Sequence, residues 1–179
     1  MESVTTTLPE FVEIHIVDTY TREDRNLLAD GHEDPNQTSS YGLEWRRTEK
    51  HVLVYERSEM ACHVGLLKHT VEVGLEHLEV GGIGGVLTRR ESRGRGYARI
   101  AIAAAQEFAQ EQWGVNFLMG FCRPALEAWY QLLGWSKISE AVWVDQEKTS
   151  LVMPLVTMVK PLGAAGWPRG AARLKSLPW

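Results

Sequence analysis

RESRGRGYARI, residues 90–100, sits between an apolar, strand-like run and an alanine-rich one, and its reading decides the fold. Gly94 and Gly96 let the main chain bend where a side chain would forbid it. Downstream, YARIAIAAAQEFAQEQWG (97–114) consists largely of strong helix formers and stops at Gly114, which predicts a helix starting near Tyr97. The start of a helix presents unpaired N–H groups and partial positive charge, and Arg93 and Arg95 add formal charge. Strand, glycine loop and helix N-terminus in that order build an anion site of the kind that holds phosphate. The spacing is neither G-x-G-x-x-G nor G-x-x-x-x-G-K-[ST], and a solvated basic turn accounts for the same residues.

The elements on either side narrow the choice. Upstream, LEHLEVGGIGGVLT (75–88) reads as a strand, yet it holds Gly81, Gly82, Gly84 and Gly85, which predicts a bulge or a close approach by a ligand. Two further strands are predicted over 51–57 and 60–73, with a hairpin turn at RSE (57–59). FVEIHIVD (11–18) alternates as a half-buried strand does. Thr21 is a helix N-cap candidate with Asp24 in the first turn, and Gly31 can end that helix. Downstream, VNFLMGFC (115–122) is wholly apolar, as a strand covered on both faces would be. Pro124 can open a helix through ALEAWYQLLGW (125–135), with Gly134 closing it. AVWVDQ (141–146) and SLVMPLVTMV (150–159) predict a last pair of strands. The tail, 160–179, is rich in Gly and Pro and reads as irregular, but Trp167 and Trp179 predict that it packs on the rest. The order predicts an α/β (α+β) fold. Its mixed, mostly antiparallel central sheet is flanked by helices and holds one parallel β-α-β crossover, in a single domain over residues 1–179.

Composition excludes several classes. The chain has 179 residues, 44% hydrophobic and 23% charged, as an ordinary globular protein does. A net charge of -4 argues against nucleic acid as a partner. The charge is uneven, -7 over residues 1–60 and +3 over 61–179, so the basic half suits an anionic ligand. MESVTTTLPE lacks a basic segment followed by an apolar run, so no signal peptide is predicted, and no run is long enough to span a bilayer. Cys62 and Cys122 form no C-x-x-C pair and read as buried reduced thiols, in keeping with a cytoplasmic protein. No His/Cys spacing predicts a metal site.

VLTRRESRGRGYARI (86–100) with its helix resembles the acyl-CoA loop of the GNAT acyltransferase superfamily. That family's pattern, Arg/Gln-x-x-Gly-x-Gly/Ala, is met here by Arg93, Gly96 and Ala98. The resemblance implies that pyrophosphate rests on the N–H groups of Arg93, Gly94, Arg95, Gly96, Tyr97 and Ala98. It also implies that the pantetheine arm lies along Val86, Leu87 and Thr88 like an added strand. AWYQLLGW (128–135) is similar to the family's helix ending in Tyr-x-x-x-Gly-Phe/Trp. Tyr130 takes the position of the tyrosine that protonates the departing CoA thiolate; read by itself, it is equally a core aromatic.

Two branches look closest, the aminoglycoside 2′-N-acetyltransferases and the nodulation N-acyltransferase, and both act on amino sugars. The resemblance implies an N-acetyltransferase using acetyl-CoA, or another acyl-CoA, on a small-molecule amine such as an amino sugar. It offers homodimerisation as one assembly. A long-chain acyl donor and a non-catalytic CoA-binding domain are the alternatives. In the aminoglycoside branch a glutamate on the glycine-rich strand serves as base, but the ungapped match places Gly84 there. Glu79 on the same strand and the carboxylate of Trp179 are the substitutes considered, and His63 and His69 are further proton carriers or structural residues. Glu44 matches an acidic substrate-binding position of that branch, with Trp45 beside it. Arg169, Arg173 and Lys175 in the tail would repel a polycationic acceptor.

Overall fold

Local rules carry the first elements. The computed structural model describes residues 11–179; the N-terminal residues 1–10, on which the signal-peptide expectation rests, lie outside it. β1 (Val12–Val17) leads to α1 (Arg22–Ala29), which Thr21 and Asp24 start with a reciprocal capping box. β2 (Lys50–Glu56) and β3 (Glu59–Val73) join through Arg57 and Ser58, both at positive φ, as a two-residue hairpin turn requires. β4 (Glu76–Thr88) returns antiparallel to β3. α2 (Tyr97–Trp113) follows and stops at Gly114 in the left-handed region. β5 (Phe117–Cys122) then pairs with β4 in parallel, so β4-α2-β5 is the expected crossover.

Pro124 opens a single 3-10 turn, and the helix proper, α3 (Glu127–Leu132), is shorter than the sequence pattern predicts. β6 (Ser136–Lys137), β7 (Val142–Gln146), β8 (Thr149–Val152) and β9 (Val156–Pro161) complete this region. The predicted strand over 150–159 is broken around Pro154. β8 turns back on β7, whereas β9 crosses to lie between β5 and β6. Proline lacks the N–H that a continuous central strand would need. The tail also departs from expectation: β10 (Ala172–Arg173) inserts between β3 and β7, antiparallel to one and parallel to the other. The ten-stranded mixed sheet is in one piece because of that short strand.

Two apolar cores lie on the sheet's opposite faces. Ala101, Ala105 and Ala109 of α2 pack with Val64, Leu66 and Leu118 on one side. Leu67, Val71, Met119, Val144 and Trp179 pack on the other. Among the described residues no helix is long and apolar enough to cross a membrane.

Candidate active site

The parallel pairing of β4 with β5 runs from Val80–Phe117 to Ile83–Gly120 and goes no further. Beyond it the strands diverge, and a cleft of about 1550 Å³ opens between them. At the same level the β3–β4 register slips, so that Val64 opposes both Gly85 and Val86. This is a β-bulge, and Gly85 occupies the left-handed region at φ 57°, where a side chain is strained. The glycines leave room for neighbours on both faces. A Cβ on Gly81 would stand 2.8 Å from Leu118, against the α2 layer. On the opposite face, Gly82 lies against the Trp179 ring, and a Cβ on Gly84 would stand 2.8 Å from that residue's main-chain carboxyl carbon.

The far wall is the loop that opened the sequence reading. Gly94 and Gly96 have φ of 77° and 83°, and Gly96 caps α2 without any side-chain hydrogen bond to the helix's first N–H groups. Ser92 is buried, and its Oγ has no hydrogen-bond partner. Such an orphaned hydroxyl beside free N–H groups is a ready donor set for phosphate oxygens. Arg93, Gly94, Gly96, Tyr97 and Ala98 line the cleft, as do Val86, Leu87 and Thr88. Arg95 departs from expectation: it turns away to bind both oxygens of Glu56 at 2.8 and 2.9 Å. The Tyr97 side chain is buried in the core, so only its main chain is placed for an anion. Arg93 Nε donates to the Thr88 carbonyl at 3.2 Å.

Tyr130 faces the cleft from α3, wedged edge-on between Trp129 and Trp135. Burial pushes its hydroxyl pKa up, with Cys122 adding to the effect, so the phenol stays protonated across the neutral range. Cys62 and Cys122 are free and buried, and burial pushes each thiol up to about 11.

Of the three acidic candidates, Trp179 lies against Gly84 in the cleft, and Glu79 and Glu44 are elsewhere. Glu79 is exposed, pairs with Lys68 at 3.0 Å, and does not line the cleft. It lies six residues before Gly85 of the bulge, on the part of β4 that pairs regularly with β3. Glu44 is likewise outside, exposed, with its main-chain N–H donating to Gln146 at 2.7 Å. Trp45 does line the cleft, and so does Trp179. His69 is structural: it accepts from Arg46 at 3.1 Å and donates to the Leu174 carbonyl at 2.7 Å, tying down the tail. Arg169, Arg173 and Lys175 are not among the lining residues.

Several lining residues carried no sequence signal. His51 and Tyr20 join His63 on one wall, and Arg22, Arg25, Arg47, Arg99 and Arg123 bring charge from four separate segments. The bulge opposite them was foreshadowed by the four glycines of β4. A second depression, on the outer face of α2 at Gln106 and Gln110, has no such convergence.

The fold is widespread among solved structures. The chain is 17% identical to the GNAT family N-acetyltransferase YhbS of Escherichia coli, solved in complex with CoA, at a TM-score of 0.61, covering 94% of this chain and 92% of that one. It is 20% identical to a putative N-acetyltransferase of Lactobacillus plantarum, at a TM-score of 0.54, covering 86% and 99%. FeeM, an N-acyl amino acid synthase from uncultured soil microbes, is 9% identical at a TM-score of 0.53, covering 84% and 92%. At these identities the likeness is one of fold. No curated protein matches the sequence. The model of one family, described as Nodulation protein A (NodA), matches residues 37–173. That span holds the glycine strand, the bulge, the Arg/Gly loop and Tyr130, and the chain belongs to the Nodulation protein A family, making it an N-acyltransferase of the GNAT superfamily.

Proposed function

We propose that the protein transfers an acyl group from acyl-CoA to the amine of an amino sugar by direct attack. The observation that carries this is the single cleft where an uncapped helix N-terminus, a strand edge freed by the bulge and a buried protonated phenol converge. The first two fit the two ends of CoA's phosphopantetheine arm, and YhbS, with the same fold, was solved with CoA bound. Bound there, acyl-CoA supplies the thioester. Main-chain N–H groups of Gly94, Gly96 and Ala98 hold the pyrophosphate, with the Arg93 side chain beside them; the Arg93 N–H itself donates to the Arg90 carbonyl at 3.3 Å. The free edge of Val86, Leu87 and Thr88 hydrogen-bonds the pantetheine amides. N–H groups at the bulge stabilise the negative charge that grows on the thioester oxygen. The acceptor nitrogen forms the new C–N bond, the C–S bond breaks, and Tyr130 gives its proton to the departing sulfur.

Charge along the walls selects among acceptors. Besides Arg93 and Arg99 near the phosphate loop, Arg22, Arg25, Arg46, Arg47 and Arg123 line the cleft, against Asp18 as the one lining Asp or Glu among the described residues. Asp18 is itself paired with Lys50. A polycationic aminoglycoside would meet like charge here, whereas one amine on a neutral or anionic sugar would not. Trp45 and Trp179 offer flat apolar faces to a sugar ring.

A longer acyl chain is the second reading. Leu126 and Leu132 of the α3 segment lie on the cleft wall while 39% and 85% exposed, and Leu133 adjoins them. The cleft is also larger than the roughly 1,000 Å³ upper range of small-molecule pockets. The test is thiol release from acetyl-CoA and from a long-chain acyl-CoA, each with glucosamine, a chitooligosaccharide amine and a polycationic aminoglycoside. Turnover with the sugars and little with the polycation supports the reading. Release with no amine, despite tight CoA binding, overturns it.

A further inference from the structure

Acyl transfer to an amine also needs a group that takes a proton from the acceptor. An ammonium must lose a proton before its nitrogen can attack. Gly84 has no side chain, and Glu79 is on a different stretch of strand, paired with Lys68. Two histidines stand on the acceptor wall instead. His51 lies across from Gly65, and Gly65 across from Gly84, so the three share the sheet face turned away from α2. Two strand spacings put His51 about 10 Å from the bulge in main-chain terms, and its ring and that of His63 bridge the gap.

Their hydrogen bonds admit one arrangement. The Gly85 carbonyl can only accept, so His63 Nδ1 carries a proton and donates to it at 2.8 Å. In neutral His63 the Nε2 atom is then bare, and it accepts from His51 Nδ1–H at 2.9 Å. Neutral His51 is left with an unprotonated Nε2 on the cleft wall, with no hydrogen-bond partner among the described residues. Tyr20 stacks on His63 with ring centroids 3.7 Å apart and planes 7° apart, which locks the ring that locks His51. The same His63 bond pins the carbonyl of the bulge.

We propose that His51, held in this tautomer by His63, is the base that takes the proton from the acceptor's ammonium, directly or through one water. This rests on the N-acyl transfer reading above. The N–H proton passes to His51 Nε2, and the freed electron pair forms the C–N bond. Once bonded to carbon, the nitrogen sheds its second proton to water; the C–S pair stays on sulfur, which takes the proton of Tyr130. Tyr130 regains a proton from water and His51 returns its own to solvent, so one proton is released per turnover. His63 is a positioning residue.

The surroundings keep the pair neutral and ready. Burial lowers the pKa of His51, with Asp18 opposing, and burial takes His63 down to about 4, aided by His51 and opposed by the Gly85 carbonyl and by Asp24 on α1. Arg25 and Arg47, on the same cleft walls, also disfavour a second positive charge. Held below the range of a free imidazole, His51 stands mainly unprotonated at pH 7, as a base must.

The test is the pH dependence of kcat/KM for thiol release from the best donor and amino sugar. In the native enzyme the rate holds up as pH falls below the amine's own pKa, because His51 supplies the base. In His51→Gln it falls about 10²-fold at pH 7 and climbs about tenfold per pH unit until the amine itself loses its proton. His63→Asn keeps an N–H for the Gly85 carbonyl and retains more kcat than His63→Ala, with KM for the donor unchanged in both. An unchanged profile in His51→Gln overturns the proposal and leaves the proton to another group. Because these histidines are buried, nitrogen-15 NMR of the native protein decides independently of turnover. Protons on Nδ1 of both rings at neutral pH support the dyad; a proton on His51 Nε2 overturns it. Absence of turnover by the native enzyme counts against the transfer reading, not against this tautomer.

Discussion

Tyr130 separates chemistry from architecture within one side chain. Its ring is held edge-on between Trp129 and Trp135, and its hydroxyl reaches the cleft. Replacing it with Phe keeps the packing and removes only the proton. Thiol release by Tyr130→Phe is therefore expected to fall about 10²-fold in kcat with KM for acyl-CoA unchanged. An unaltered kcat would remove Tyr130 from the reaction. Since burial raises its pKa, loss of the phenolic proton does not limit the rate on the alkaline side of neutrality. Arg93 lines the cleft at the other end, where the proposed function places the pyrophosphate. Removing one charge-assisted contact in Arg93→Ala is expected to weaken CoA about tenfold. Binding of pantetheine, which has no pyrophosphate, should be unchanged; equal losses would show that Arg93 acts on the loop and not on phosphate.

At the scale of elements, the phosphate loop and the bulge are both set by backbone conformations that few residues adopt. Gly96 at φ 83° aims the first turn of α2 at the cleft, with open space where a side chain would begin. Gly96→Ala therefore introduces strain without a clash. The cost is about 1–2 kcal/mol, read as a lower Tm, and CoA affinity drops as the N–H groups lose their aim. A variant with wild-type CoA affinity would mean that the loop's aim does not matter. Gly85 plays the corresponding part in β4, where its carbonyl leaves the ladder and is taken by His63.

Over the whole molecule, stability and function meet in the tail. Trp179 is 4% exposed, packs near His69 and Phe121, and covers Gly82 and Gly84. Trp179→Ala is expected to cost about 3–5 kcal/mol by cavity formation and to widen the acceptor end of the cleft. Urea unfolding reads the first effect, and a raised KM for the amine with that for acyl-CoA unchanged reads the second. The buried His63 also makes folding pH-dependent. Its folded pKa, about 4, lies below the unfolded value, so the unfolded chain binds more protons between the two. Stability is then fully present above the unfolded pKa of about 6.5 and declines as pH falls toward 4, by on the order of 3 kcal/mol. Urea midpoints at pH 7 and pH 5 should differ accordingly in the native protein, and by less in His63→Asn.

Local chemistry made much of this legible from the sequence alone. The cap at Thr21, the two-residue turn at Arg57–Ser58, the stop at Gly114 and the Arg93–Gly96–Ala98 loop are each decided within a few residues, and each stands where its pattern placed it. The elements proposed to hold the donor were readable for the same reason, because one strand, one loop and one helix start follow one another in the chain. The acceptor half is assembled at long range. His51 and His63 meet only because β2 and β3 pair in one register, and Trp179 reaches Gly84 only because β10 threads the sheet. Glu44 and Glu79 carry the charge that sequence logic sought, but strand pairing and side-chain direction put them outside the cleft. Arg95 was assigned to phosphate by proximity in the chain and is drawn off by Glu56, 39 residues away. Contacts between neighbours in sequence are fixed by backbone preference and can be read there. Contacts across strands depend on which register buries the most apolar surface, which is a property of the folded whole.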